Sequence, residues 1–341
     1  MQATSAPDVR RRVKYFLSRL VRLNAGNMVA KASEIGRRIH RPTVVVLADM
    51  AWCAVRYEAG YYDYHEFEYW FLNGRERKTV LTRPRANNLV QKLNPPEFRY
   101  KLSDKSVFNQ LFAPYLGRDW MDVRTSSVEE LRTFVVEHGR VMAKVTQSVA
   151  GKGIQKLEAA DITGFDSLRR ELLEHQQYLV EEYVTQHPVM ASLSPTSVNT
   201  LRIISYFDGT DVHILARVLK MGSGAEIDNF SSGGMYTTLD EHGVAPYPAF
   251  DKAGKSYIVQ PQTGTSIVGF QVPLFPEVLA FVDEIARVVP EVPYVGWDIA
   301  ITPEKPIVIE GNYNTGVFWM KPSLSGIKTG LLPLYREVIG F

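Results

Sequence analysis

Cysteine is almost absent from this 341-residue chain. Cys53 stands alone, which excludes a disulfide framework and any Cys-rich zinc site. It also leaves a reducing, cytoplasmic setting as the expectation. Long apolar runs are missing too: none approaches the ~20 residues that span a bilayer. No apolar core with a small-residue cleavage site follows the basic N-terminus, so a secretory signal is not expected. Net charge is small, with 39 Lys+Arg against 37 Asp+Glu, and it gives no reason to expect nucleic acid as a partner. Internal repeats and low-complexity tracts are absent. What remains is ordinary globular composition, 45% hydrophobic and 22% charged, in a length that suits about two domains.

The balanced charge conceals an asymmetry. Residues 1–41 hold ten Lys/Arg and two acids, a net of +8, so the rest of the chain carries −6. Within them, residues 12–23 read as a basic amphipathic helix, with Val13, Phe16, Leu17, Leu20 and Leu23 at helical spacing. Such a helix either packs its apolar stripe on the body or meets an anionic substrate, carrier or membrane surface.

Residues 1–60 are helical in pattern. Residues 57–72 are aromatic and acidic, which suits either a core helix with wet edges or the lining of a substrate pocket. A helix is expected from Ser103 to Gly117, and another from a capping box at Ser126-x-x-Glu129 to Gly139. Strand texture follows at 140–145, 154–157 and 178–184, with a helix capped by Asp166 between the last two. Asp208-Gly209 marks a hairpin between 200–207 and 212–219. A helix lies within 273–290, and strands at 295–301 and 306–310 follow. Hairpins mixed with helices predict an α+β fold with antiparallel sheets. The expected organisation is a mainly helical or mixed region over 1–95, a small lobe over 96–184 and a larger lobe over 185–341.

Four segments carry chemistry. Asp298 interrupts an apolar strand, where an unpaired carboxylate is costly. Twelve residues later come Glu310 and Asn312, on one period-2 face. If these strands pair, three oxygen-bearing side chains converge as a hard divalent cation requires; the alternative is a buried Asp with backbone partners. Lys144 precedes the Gly-rich loop Ser148–Gly153, whose N–H groups suit phosphate. That loop does not match G-x-x-x-x-G-K-[ST], and no helix follows it, so neither a P-loop nor a Rossmann turn is present; a plain hairpin is the other reading. Glu181 and Glu182 sit mid-strand in Leu-Val-Glu-Glu-Tyr-Val. Arg202, Arg217 and Lys220 lie on the predicted hairpin, either facing a cleft or solvated at an edge. No Ser/His/Asp or cysteine nucleophile constellation is evident.

Taken in order, these elements resemble the ATP-grasp superfamily over roughly residues 95–325. The series runs from Lys105 opening a helix, through Lys144 and its loop, Glu181-Glu182, Arg202 and Asp228-Asn229 before Ser-Ser-Gly-Gly, to Asp298…Glu310-x-Asn312. The Asp-Lys opening, Ser-Val-Asn-Thr-Leu-Arg-Ile and Asp-Asn-Phe-Ser-Ser-Gly-Gly resemble its sugar-transfer-associated, α-L-glutamate ligase-related branch. The resemblance implies two α+β lobes gripping ATP behind an N-terminal domain. It implies that Lys105 and Lys144 contact phosphates and that Ser148, Gly151, Lys152 and Gly153 belong to a loop closing over ATP. Glu181 or Glu182 would reach the adenine amino group, with backbone contacts from Tyr183 and Val184. Gln186 and His187 stand where an acid usually binds ribose. Arg202, with Arg217 and Lys220, would stabilise the transferred phosphoryl group, Asn229 would help bind nucleotide, and Asp298, Glu310 and Asn312 would hold two Mg²⁺ ions, Mn²⁺ being an alternative.

The reaction so implied is a carboxylate–amine ligation through an acyl phosphate, releasing ADP and phosphate, on small-molecule or peptide substrates. The alternatives are a small-molecule or sugar kinase on the same scaffold and a non-catalytic nucleotide-binding partner in glycan assembly.

Overall fold

The computed structural model describes residues 24–146, 153–222 and 233–341. The N-terminal segment 12–23 lies outside them. The chain forms two compact units, one of Met1–Asn88 with Trp319–Pro333 and one of Leu89–Phe318 with Leu334–Phe341.

The first unit is helical. Helix α1 (Ala25–Arg38) starts where the Asn24 side chain accepts from Asn27 N, and it ends on Arg37 and Arg38, which suit the negative helix terminus. Helix α2 (Thr43–Tyr57) buries Val46, Met50, Cys53 and Tyr57, the i, i+4, i+7, i+11 stripe of a 3.6-residue repeat. In the 57–72 segment Tyr57, Tyr64, Phe67 and Tyr69 are core, whereas Tyr62 and Phe71 are exposed. Helix α3 (Tyr61–Glu66) carries Asp63 inward, where its carboxylate accepts from Gly60 N and Arg83 N, each at 3.1 Å. The Arg77 guanidinium grips Asp49 with two bonds of 2.8 and 2.7 Å, and Tyr64 donates to the same carboxylate. Burial pushes the Cys53 thiol up to about 12. Glu68, also buried, accepts from both the N–H and hydroxyl of Ser323.

The second unit holds two antiparallel sheets, as the hairpin pattern predicts. Strands β1 (Trp120–Asp122), β2 (Arg140–Lys144), β3 (Ile154–Glu158) and β4 (Leu179–Glu182) form a small sheet in the order β1-β4-β2-β3. Its apolar face, with Val141, Ala143 and Val180, packs on Leu131 and Val135 and on Leu168 and Leu172. The first pair belongs to a helix over Val128–His138 and the second to one over Phe165–Glu174. Strands β5 (Thr200–Phe207), β6 (Val212–Met221), β7 (Met235–Thr238), β8 (Ala249–Asp251), β9 (Ser256–Tyr257), β10 (Tyr294–Ile301) and β11 (Pro306–Asn312) make a larger sheet, ordered β11-β10-β5-β6-β7-β8-β9. One face of it buries Leu201, Ile203, Leu219, Trp297 and Ile299 with Phe275, Val278, Val282 and Ile285 of the helix Phe275–Ala286.

Three helix starts differ from expectation. Asp104, not Ser103, caps the helix Lys105–Leu111, accepting from Ser106 N and Val107 N. The capping box uses Ser127 and Glu130. Two S-x-x-E registers overlap there, and the Ser126 hydroxyl instead donates to the Asp122 carbonyl. Gly164, not Asp166, precedes the helix Phe165–Glu174.

Candidate functional site

The site is built on the face of the large sheet opposite its apolar core. Register decides which side chains reach it, because directly paired antiparallel residues share a face. Asp298 pairs with Glu310 on one side and with Arg202 on the other. Gly296 pairs with Asn312, and Thr200 with Lys220. Asp298, Glu310, Asn312, Arg202 and Lys220 therefore lie together.

Arg202 holds Asp298 in a bidentate pair, Nε to Oδ1 at 2.6 Å and Nη2 to Oδ2 at 2.7 Å. Lys220 Nζ stands 3.4 Å from the same carboxylate. Burial alone would push the Asp298 carboxyl up, but the Arg202 and Lys220 cations outweigh it and hold it far below the usual range. Glu310 goes the other way: burial raises it, and so does the neighbouring Asp298 charge. Asn312 Nδ2 donates to Glu310 at 3.2 Å and to the Gly296 carbonyl at 3.3 Å. Both amide hydrogens are thus spent within the sheet, and Oδ1 is the atom left to offer a cation. Two carboxylates and an amide oxygen fit a hard divalent ion. Gly311, between the two ligand candidates, faces the core, where a Cβ would meet Trp297, Leu102 and Phe108 at 3.0–3.2 Å.

Arg217 is not brought to this face. A bulge between Ile204 and Ser205 shifts the pairing, so Arg202 meets Val218 and Arg217 meets Ile203. Arg217 lies instead within electrostatic reach of Glu241 and Asp240. An unbulged hairpin closing Phe207 on Val212 would have set Arg217 opposite Arg202 and turned Lys220 away.

The small sheet supplies the second half. Lys144 and Glu181 share a face and form a tight ion pair. Glu181 is fully engaged: Asn109 Nδ2 donates to Oε1 at 2.7 Å and Arg118 Nη2 to the same oxygen at 3.0 Å. Burial pushes its carboxyl up, and the Arg118 and Lys144 cations more than reverse this. Lys105 opens its helix with its N–H on the Thr146 carbonyl at 3.3 Å. Burial lowers the pKa of its ammonium, while Glu310 and Glu181 attract it and Lys144 repels it. Lys105 therefore lies within electrostatic reach of both carboxylate centres.

Glu182 points away from Glu181, as alternation requires. It accepts from Asp119 N and stands 3.9 Å from His138 Nδ1, whose Nε2 is 3.6 Å from Asp119. The two ring nitrogens face different carboxylates, and one ligand atom from each of the three residues lies within 4.8 Å of the others. Tyr183 N–H is taken by the Arg140 carbonyl; Val184 follows the strand and is half-buried. Gly153 closes the loop at φ +72°, where a Cβ would meet Val145 at 2.5 Å. Ser148, Gly151, Lys152 and Asn229 lie outside the described residues. Gln186, in the expected ribose position, clasps the backbone carbonyls of Ser194 and Ser197 and accepts from Asn199. His187 accepts from Val189 N and donates its own N–H to the Ile301 carbonyl.

Sequence reasoning passed over Arg118. Its side chain is 2% exposed and joins Glu181 to the β11 backbone, with Nη1 on the Val308 carbonyl at 2.7 Å and Nη2 on that of Ile309 at 3.4 Å. It thus ties the small-sheet acid to the residue preceding Glu310. The only sequence signal was an arginine beside Gly117, which itself sits at φ +55° against Ile307.

No curated protein matches this chain. Among solved structures it is similar to the ATP-grasp ligase PsnB complexed with minimal precursor, Mg and ADP. That likeness has 16% identity over 78% of this chain and 68% of that one, with a TM-score of 0.42. It is also similar to D-alanine–D-alanine ligase from Bacillus anthracis, at 13% identity over 79% and 77% of the two chains, with a TM-score of 0.42. The model of one protein family, sugar-transfer associated ATP-grasp, matches residues 84–329. With most of its length matched, and with the antiparallel α+β sheets described above, the chain belongs to the sugar-transfer associated ATP-grasp family and has an ATP-grasp fold.

Proposed function

We propose that the protein is an ATP-dependent carboxylate–amine ligase that forms an amide through an acyl phosphate. The observation that carries this reading is the register Glu310–Asp298–Arg202, with Lys220 on the same face. It sets oxygen donors for a cation beside cations for a phosphoryl group.

Lys105 and Lys144 bind the nucleotide phosphates as point charges. Glu181, saturated by Asn109, Arg118 and Lys144, anchors Lys144 rather than reading adenine; with the Glu182 and Tyr183 N–H groups bonded to the Asp119 and Arg140 carbonyls, contact with the base falls to the backbone at Val184. Asp298, Glu310 and Asn312 would hold Mg²⁺, two ions in this reading, which supplies positive charge against the triphosphate when bound. A substrate carboxylate oxygen attacks the γ-phosphorus, the bond to the ADP oxygen breaks, and ADP leaves. Arg202 and Lys220 neutralise charge on the phosphoryl group in flight. An amine then attacks the acyl carbon, phosphate leaves with the electrons of the C–O bond, and the amine's proton passes to phosphate or water. No protein nucleophile is needed. The substrates are small-molecule or peptide carboxylates and amines.

The test is release of ADP and phosphate across carboxylate/amine pairs. Turnover should require both substrates, and Glu310→Gln should abolish it. Production of AMP, a phosphorylated product formed without any amine, or unchanged activity in Glu310→Gln would overturn the assignment.

A further inference from the structure

Helix α2 has an outer face that no described residue of its own unit covers. Val44 is 69% exposed, Val45 49%, Trp52 57% and Val55 60%, and Ala48 and Ala51 are exposed with them. At ~100° per residue these six side chains fill about 120° of arc, and Arg56 borders it. Arg41 stands exposed just before the helix, Arg37 and Arg38 end α1, and Arg56 closes the far end. Between Asn24 and Tyr57 there are five basic residues and two acids. One acid, Asp49, lies just beyond the margin of this face and is committed to Arg77 and Tyr64. The result is an apolar stripe with a tryptophan at its margin and cations at both ends.

We propose that this face of α2 docks on an anionic lipid surface, its valines and Trp52 entering the headgroup boundary and the flanking arginines meeting lipid phosphates. Charge selects this occupant over two others. A second copy laid antiparallel on the stripe would set Arg41 against Arg56, and a parallel one would set like against like throughout. Residues 12–23 of the same chain carry Arg12, Lys14, Arg19 and Arg22 and would add cations to cations. With Arg38 already facing Glu68, an anionic bilayer supplies counter-charge to Arg37, Arg41 and Arg56 while removing the apolar stripe from water. Tryptophan is also the side chain enriched at membrane–water boundaries.

The experiment is co-sedimentation of the full chain with phosphatidylcholine vesicles, with and without phosphatidylglycerol. Wild type should partition to the anionic vesicles and be released by salt. Val44→Ser/Trp52→Ser, which adds no charge and alters only exposed positions, should cut partitioning about tenfold with an unchanged thermal melt. Full retention by the double variant would overturn the proposal, since residues 1–23, intact in it, would then account for binding. Failure of wild type to bind, or equal binding to both vesicle types, would overturn it as well. So would a dimer in sedimentation equilibrium that the double variant dissolves, which would give the face to a second copy.

Discussion

Asp63 and Glu181 are both buried carboxylates, and their neighbours send them in opposite directions. Glu181 has two cations in contact and is held ionised. Asp63 receives two backbone N–H bonds, and burial, only partly offset by Arg83, pushes its carboxyl up to about 6. Because the folded value lies above the unfolded one of 3.8, the folded state holds this proton more tightly. The stability so gained is complete below about pH 4 and is lost as pH rises through about 6. Urea unfolding between pH 4 and 7 should show wild type losing about 2–3 kcal/mol that Asp63→Asn does not lose. Equal slopes for the two proteins would refute this.

Strands carry the site, and their interlock is tight at Gly296. A Cβ there would meet Thr315 Oγ1 at 2.2 Å and Arg202 Cδ at 3.1 Å. Gly296→Ala should therefore destabilise by about 1–3 kcal/mol and weaken nucleotide affinity by displacing Arg202; chemical unfolding and a binding titration would each read it, and a neutral result in both would refute it. At this scale the sequence was most legible. Short apolar runs and the turns between them located the β5–β6 hairpin and the strands bearing Asp298 and Glu310, because both signals are local. Helix starts slipped by a residue or two where adjacent residues could each cap. The Arg217 expectation missed because a bulge leaves no mark in composition and still reverses which side chain faces the site. Arg118 was illegible for another reason: its partners lie 63 and 190 residues away, and no local pattern reports a contact made only by the finished fold.

For the whole molecule, the separation of charge takes on meaning. The −6 body concentrates Lys105, Lys144, Arg202 and Lys220 around two carboxylate centres, so nucleotide affinity should depend on the metal that fills the Asp298–Glu310 face. ADP with Mg²⁺, at a hundredfold excess over Kd, should add about 2.7 kcal/mol to unfolding, visible as a raised Tm. Chelating the metal should remove most of that shift, and an equal shift in both conditions would count against the metal assignment.

The return of Trp319–Pro333 to the first unit has a bearing on synthesis. Among the described residues, Glu68 sinks its charge where Ser323 and Arg38 answer it. During translation the N-terminal helices emerge with that carboxylate still missing its two strongest donors. The N-terminal helices therefore wait for Trp319–Pro333, which is made only after the sheets encoded between the two parts of their unit.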